Sequence, residues 1–144
     1  MSKFESADLI LKLYDLRREA TMREARKWMF TYFPTDADDY MKTMMDPEVG
    51  AYLRMVTSYW NMAAALVNHE AIDAEMFSDT VGEHVLVFAK IEPILGELRE
   101  KMQNPNAFKH LEDLVMNSPN GKEQLARTQE FLKTIANRNT EAAA

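Results

Sequence analysis

The chain contains no cysteine. That absence removes a disulfide framework, a thiolate metal site and a cysteine nucleophile together. Glycine and proline are scarce, at 4 and 5 in 144 residues, and β-branched residues do not alternate with polar ones. Strands need both turn punctuation and alternation, so no sheet is expected. No apolar run reaches the length of about eighteen residues that a membrane span requires. The opening residues, MSKFESADLILKLYDLRRE, place Glu5 and Asp8 where a signal peptide needs an unbroken apolar segment. A cytoplasmic location is the expectation. There is also no surplus of positive charge: the formal net charge is −6. Nucleic acid, which calls for a clustered positive field, is not an expected partner.

Catalytic signatures are missing as well. Carboxylate-bridged metal sites in helical bundles use Glu-x-x-His, because side chains three apart share a helix face. The residues three before His69, His84 and His110 are Leu66, Val81 and Ala107. Asp36, Asp38 and Asp39 hint at a calcium loop, but such a loop needs a glycine at 41 and a glutamate at 47, where the chain has Met41 and Pro47. No Gly-x-Ser-x-Gly and no glycine-rich phosphate loop occurs. No catalytic residue, metal site or cofactor is expected, and an enzyme is the less favoured class.

What the chain does have is helical periodicity. Apolar residues make up 47% and charged residues 28%, ordinary for a globular domain, and the length suits one domain. The organising stretch is Asp46 to His69. Asp46 is placed to cap, Pro47 falls at a first helical position, and Glu48 faces the positive end of the dipole. Val49, Leu53, Val56, Trp60, Ala63 and Val67 then recur at intervals of three and four. Tyr52, Met55, Tyr59, Met62 and Leu66 form an adjoining face, so this helix is expected to be internal, with Ala63, Ala64 and Ala65 admitting a close neighbour.

The remaining segments follow the same logic. A first helix is expected from about Ser2 to Phe33. It has capping-box spacing at Ser2 and Glu5, a seam of Leu9, Leu13, Leu16 and Ala20, and a displaced apolar set from Met22 that allows a bend near Thr21. A short helix to about Met45 follows Thr35 and Asp38. Asp73 caps a short helix, Ala74 to Thr80. His84, Phe88, Ile91, Leu95, Leu98 and Met102 mark a second seam, kinked by Pro93; residues 73–103 fit either one bent helix or two. Asn104-Pro105 and Ser118-Pro119 begin the last two helices. The expected architecture is all-α: a single-domain helical bundle of about five to six helices around a buried central helix, about 47–68. The domain is expected to span 1–137, with a frayed tail at 138–144.

The segment from Arg17 to Leu114 carries LRREATMREARKWMF, AYLRMVTSYWNMAAALV and HVLVFAKIEPILGELRE. It resembles a family of uncharacterised bacterial helical domains of unknown function. The resemblance implies a helical fold and carries over no catalytic residues.

Three functional readings arise. The first is a non-catalytic interaction or scaffolding domain with a protein partner or a second copy, possible as a homodimer, using Met41, Met44 and Met45 on a short peripheral helix together with Arg23 and Lys27. Methionine suits adaptable contact surfaces. The second is a small-molecule binder or sensor with a pocket beside the central helix, lined by Arg54, Trp60, Asn61 and His84. The competing role for His84 is a hydrogen-bonded histidine at the core's edge. The third is an anion or membrane-surface site on the basic stretch Arg17, Arg18, Arg23, Arg26 and Lys27, which runs into Trp28, Phe30, Tyr32 and Phe33. Against it, the acidic segment Thr35 to Glu48 is placed to neutralise that stretch within the molecule.

Overall fold

The capping box expected at Ser2 is formed in the computed structural model, which describes residues 2–143. The Ser2 hydroxyl accepts from the Glu5 amide at 3.1 Å, and the Glu5 carboxylate accepts from the Ser2 amide at 3.4 Å. This begins α1 (Lys3–Arg17). There follow α2 (Ala20–Thr31), α3 (Ala37–Met44), α4 (Gly50–Asn68), α5 (Ala74–Thr80), α6 (Glu83–Ile91), α7 (Leu95–Met102), α8 (Lys109–Asn117) and α9 (Gly121–Ala143). A 3-10 turn, Glu92–Ile94, joins α6 to α7. Among the described residues no strand occurs. Among the described residues there are nine α-helices, or eight with α6 and α7 taken as one kinked rod, against the five to six expected.

Part of that difference comes from the first expected helix, which is two. Glu19 leaves the helical region at ψ 143, and its carboxylate accepts from the amides of Thr21 and Met22 at 3.0 and 2.9 Å. An acidic side chain that caps the next helix ends the previous one without help from glycine or proline. The α1 seam is also rotated from the expected one. Ser6, Ile10 and Leu13 are buried, whereas Leu16 is 55% exposed. Further on, Asp36 rather than Thr35 caps α3, accepting from the Asp39 amide at 2.8 Å.

The expected central helix occupies the middle of the bundle, packed between α2 and α8 and touching α3, α5 and α6. Asp46 caps as predicted, its carboxylate accepting from the Glu48 and Val49 amides at 2.7 and 3.0 Å, although regular helix begins only at Gly50. Leu53, Val56, Trp60, Ala63 and Val67 are buried along one face, and Tyr59 and Ala64 beside it. Met62 is the exception on the adjoining face, at 44% exposure. The helix enclosed on most sides is α6, where His84, Val85 and the run Val87–Ile91 are all buried.

Residues 73–103 form three segments. Val81 is extended and separates α5 from α6, and Pro93 sits in the 3-10 turn. Proline leaves the Ala89 carbonyl without its helical donor, and the Gln129 side-chain amide of α9 donates to it at 3.3 Å while also reaching Glu92 at 3.1 Å. At the far end α9 continues to Ala143 with residues 137–142 exposed; Ala144, the end of the expected tail, lies outside the described residues.

Gly50 lies where α4 begins against the end of α3. A Cβ there would stand 2.5 Å from the Met44 carbonyl oxygen, whereas one at Gly96 would meet nothing within 4 Å. Gly50→Ala is therefore expected to destabilise by about 1–3 kcal/mol through overpacking. Gly96→Ala, inside α7, should stabilise by roughly 0.5–1 kcal/mol through reduced backbone entropy. Urea denaturation of both variants checks the opposite signs.

Candidate functional site

The indole of Trp60 is completely buried at the middle of α4, so its N–H must find an acceptor inside the protein. It donates to the Glu83 carboxylate of α6 at 3.0 Å. The same carboxylate receives Arg26 of α2, from Nε at 3.0 Å and Nη2 at 3.0 Å. Arg26 Nη1 continues to the Arg17 carbonyl at 3.3 Å, at the end of α1. Arg17 in turn lies over the Trp60 ring at 5.2 Å and donates to the Tyr59 hydroxyl at 3.1 Å. Tyr59 donates onward to the Leu13 carbonyl. One connected set of polar side chains thus joins α1, α2, α4 and α6. Two of the five cations of the basic stretch are committed to it. Among the described residues no ion pair joins the basic stretch to the neighbouring acidic segment, where neutralisation was expected from the sequence; Asp38 pairs instead with Lys101 of α7 at 2.6 Å.

The four residues expected to line a ligand pocket do not converge. Trp60 and His84 are neighbours, with ring centroids 6.1 Å apart. Arg54 is exposed and donates to the Met44 carbonyl at the end of α3. Asn61 accepts from the Leu111 amide at 3.1 Å, capping α8 from α4, where Phe108 at the N-cap offers no side-chain acceptor. Of the expected partner-facing residues, Met45 is 71% exposed, whereas Met41 and Met44 pack on the core. Arg23 and Lys27 are exposed on α2.

His84 is buried at 6% exposure, yet its Nδ1 has no hydrogen-bond partner. The expected hydrogen-bonded histidine is therefore absent. The ring packs against Phe77 at 5.1 Å as well as Trp60. Burial pushes its pKa down from 6.5 to about 4, so it is neutral at physiological pH. His84 also lines a cleft of about 580 Å³ formed by α4, α5, α6, α8 and the start of α9. Trp60 does not reach that cleft.

Two features escape a reading of the sequence. Glu83 carries the polar network, and its only signal is adjacency to His84. Lys90 interrupts the apolar run of α6 and is 8% exposed. Its ammonium donates to the carbonyls of Met29, Phe30 and Tyr32 at 2.5, 3.1 and 2.9 Å and lies over the Phe33 ring at 4.3 Å. Burial draws its pKa down from 10.5 to about 8. The three carbonyls at the end of α2 oppose that shift, since only the charged form offers three donors. A lone lysine in an apolar run is the signal that would have found it.

Glu83→Ala strands Arg26 and the Trp60 indole N–H. It is expected to cost about 2–3 kcal/mol, below the loss for a fully buried pair because both charged partners are near one-third exposed. Replacing Arg26 and Glu83 together by Met and Leu should recover only the part due to the unpaired guanidinium, because the Trp60 N–H still lacks an acceptor; chemical denaturation of both variants reads the difference. For His84 the folded pKa lies below the ordinary one, so the unfolded chain binds more protons between pH 6.5 and 4. Stability contributed by the neutral ring is complete above pH 6.5 and falls as pH drops towards 4, by about 3 kcal/mol in all. The urea midpoint of the wild type, measured relative to that of His84→Phe, should fall as pH is lowered from 7 to 4.5.

No curated protein and no solved structure matches the chain. A family model described as a domain of unknown function, DUF4760, matches residues 3–118, from α1 to the end of α8. The match is wider than the 17–114 resemblance drawn from sequence patterns, and it agrees with the expectation of an uncharacterised domain family. The chain belongs to the DUF4760 family of domains of unknown function.

Proposed function

We propose that the protein is a non-catalytic helical interaction domain that associates with a second copy of itself through α1. The observation that carries this reading is the outer face of that helix. Phe4, Leu11 and Tyr14 are 89%, 64% and 50% exposed. With the half-buried Ala7 they recur at intervals of three, four and three, the spacing of a coiled-coil seam. The opposite face, Ser6, Ile10 and Leu13, is the one buried against the bundle. A helix apolar on two faces is ordinarily enclosed on both.

The seam is self-complementary. A two-fold antiparallel crossing centred between Ala7 and Leu11 sets Phe4 of one copy against Tyr14 of the other. It also brings Asp8 near Lys12 of the second copy; within one chain these two already pair at 2.9 Å. The first half of α1, where Glu5 and Asp8 outnumber Lys3, then meets the second half, where Lys12 and Arg17 outnumber Asp15. A helix of 15 residues spans about 22 Å. The contact lies at the small end of stable interfaces, and a dimer dissociating in the micromolar range is expected.

Sedimentation equilibrium between about 5 and 500 µM tests the proposal. The wild-type mass should rise towards twice the monomer. Leu11→Glu should stay monomeric with unchanged helicity and melting temperature, because Leu11 is not part of the core. Phe131→Glu, at an exposed position on α9, should behave as wild type. A wild-type monomer across the whole range overturns it.

A further inference from the structure

The longest helix of the protein is the one most thinly attached to it. α9 has 23 residues, and of those described only Gly121, Leu125 and Leu132 are buried. The much shorter α6, with 9 residues, buries His84, Val85 and all of 87–91. Among the described residues no ion pair joins α9 to another element; Lys133 pairs with Glu130 of its own helix at 3.1 Å. Gln129 alone among its described side chains bonds across, to the Ala89 carbonyl and the Glu92 carboxylate at 3.3 and 3.1 Å. The hydroxyls of Thr128, Thr134 and Thr140 all donate within α9. The helix also lies beyond the family domain, which ends at 118.

Packing on either side of the two leucines is incomplete. The cleft of about 580 Å³ reaches Gln124 on one flank. A groove of about 530 Å³ runs along the other, between Ala126 and Lys133 of α9 and Phe33, Pro34 and Pro93. Protein interiors are ordinarily close-packed, so unfilled space on both flanks confines the contact to a narrow strip.

The joint to α8 is short. Ser118 is extended, and Asn120 stands in the left-handed region at φ 57, which asparagine tolerates as a single residue. A rotation at one such residue re-aims everything after it. At Gly121 a Cβ would run into the Val115 carbonyl oxygen, so the seated helix depends on a glycine at its first position.

We infer that α9 is a hinged strap. It swings away as one unit about residues 118–120 while residues 3–118 stay folded, and it uncovers Ala89 and Lys90 of α6, which share the groove with Leu132. Opening exposes two leucines and releases the Gln129 bonds. It leaves the Glu83 network intact, because no member of that network belongs to α9. On the order of one molecule in a thousand is open at a time. This is distinct from fraying at a chain end, which proceeds residue by residue from the terminus.

Native-state hydrogen exchange of the full chain, in urea below the unfolding transition, tests the inference. Amides of residues 124–134 should exchange with a single opening equilibrium. They should be at least about ten-fold faster than those of 53–64, with a weaker urea dependence because less surface is exposed. Gly121→Ala should speed the α9 amides about ten-fold, since it crowds the seated form and favours the free helix. Ile72→Val truncates a side chain 1% exposed in the core, one that stays packed when α9 opens. It should speed exchange at 53–64 about five-fold and leave 124–134 unchanged. A gradient of protection rising inward from 143, with the amides around Leu125 as slow as those of α4, would overturn the inference. So would equal acceleration of both regions by Ile72→Val.

Discussion

The Glu83 carboxylate is the point at which four helices are tied. It accepts from the Trp60 indole and from Nε and Nη2 along one edge of Arg26. Trp60 sits at 0% exposure in the central helix, and burying its N–H without an acceptor would cost roughly 1–3 kcal/mol. The acceptor has to be a carboxylate, because Arg26 brings a positive charge to the same place. Arg26 in turn reaches the last turn of α1 through the Arg17 carbonyl. The apolar seams decide that helices pack; this polar knot decides how α2 and α6 are placed against α4, since displacing either one strands a buried donor.

The same constraint operates at the helix ends. Short helices expose many unpaired amides and carbonyls for their length, and this chain satisfies several with side chains distant in sequence. Lys90 closes α2, Arg54 closes α3, Asn61 opens α8, and Gln129 takes the carbonyl that Pro93 frees. Each bond joins two elements, so it both completes one helix and orients another. The polar residues within the apolar stretches, which the sequence presents as candidates for binding, are largely occupied in this way. His84, whose Nδ1 has no partner, is the exception.

The helical class and the central helix were legible because periodicity is a local signal. Leu53, Val56, Trp60, Ala63 and Val67 are spaced by the helix itself and are buried where that spacing places them. The proline kink and the caps at Ser2 and Asp46 were legible for the same reason. The break between α1 and α2 was not, because Glu19 acts there as a cap although glutamate is common inside helices. The seam on α1 was misplaced because its apolar residues are spread round the helix among charged ones, so no face stands out and the choice is made by its neighbours. The Glu83 knot and the Lys90 cap depend on contacts about sixty residues apart, which spacing along one chain does not encode.

α1 shows how these two kinds of contact divide the work. Its buried side is short, and its position is secured by directed bonds: Ser6 accepts from the Asp73 amide at 2.9 Å, Lys3 meets Asp73 at 3.3 Å, and Arg17 holds the far end on Tyr59. A helix held at both ends by polar anchors need not spend its apolar residues on its own bundle. That leaves Phe4, Leu11 and Tyr14 in water at a cost of roughly 25 cal/mol for each Å² left uncovered. This is the face on which the proposed self-association rests: a second copy crossing α1 would cover all three side chains.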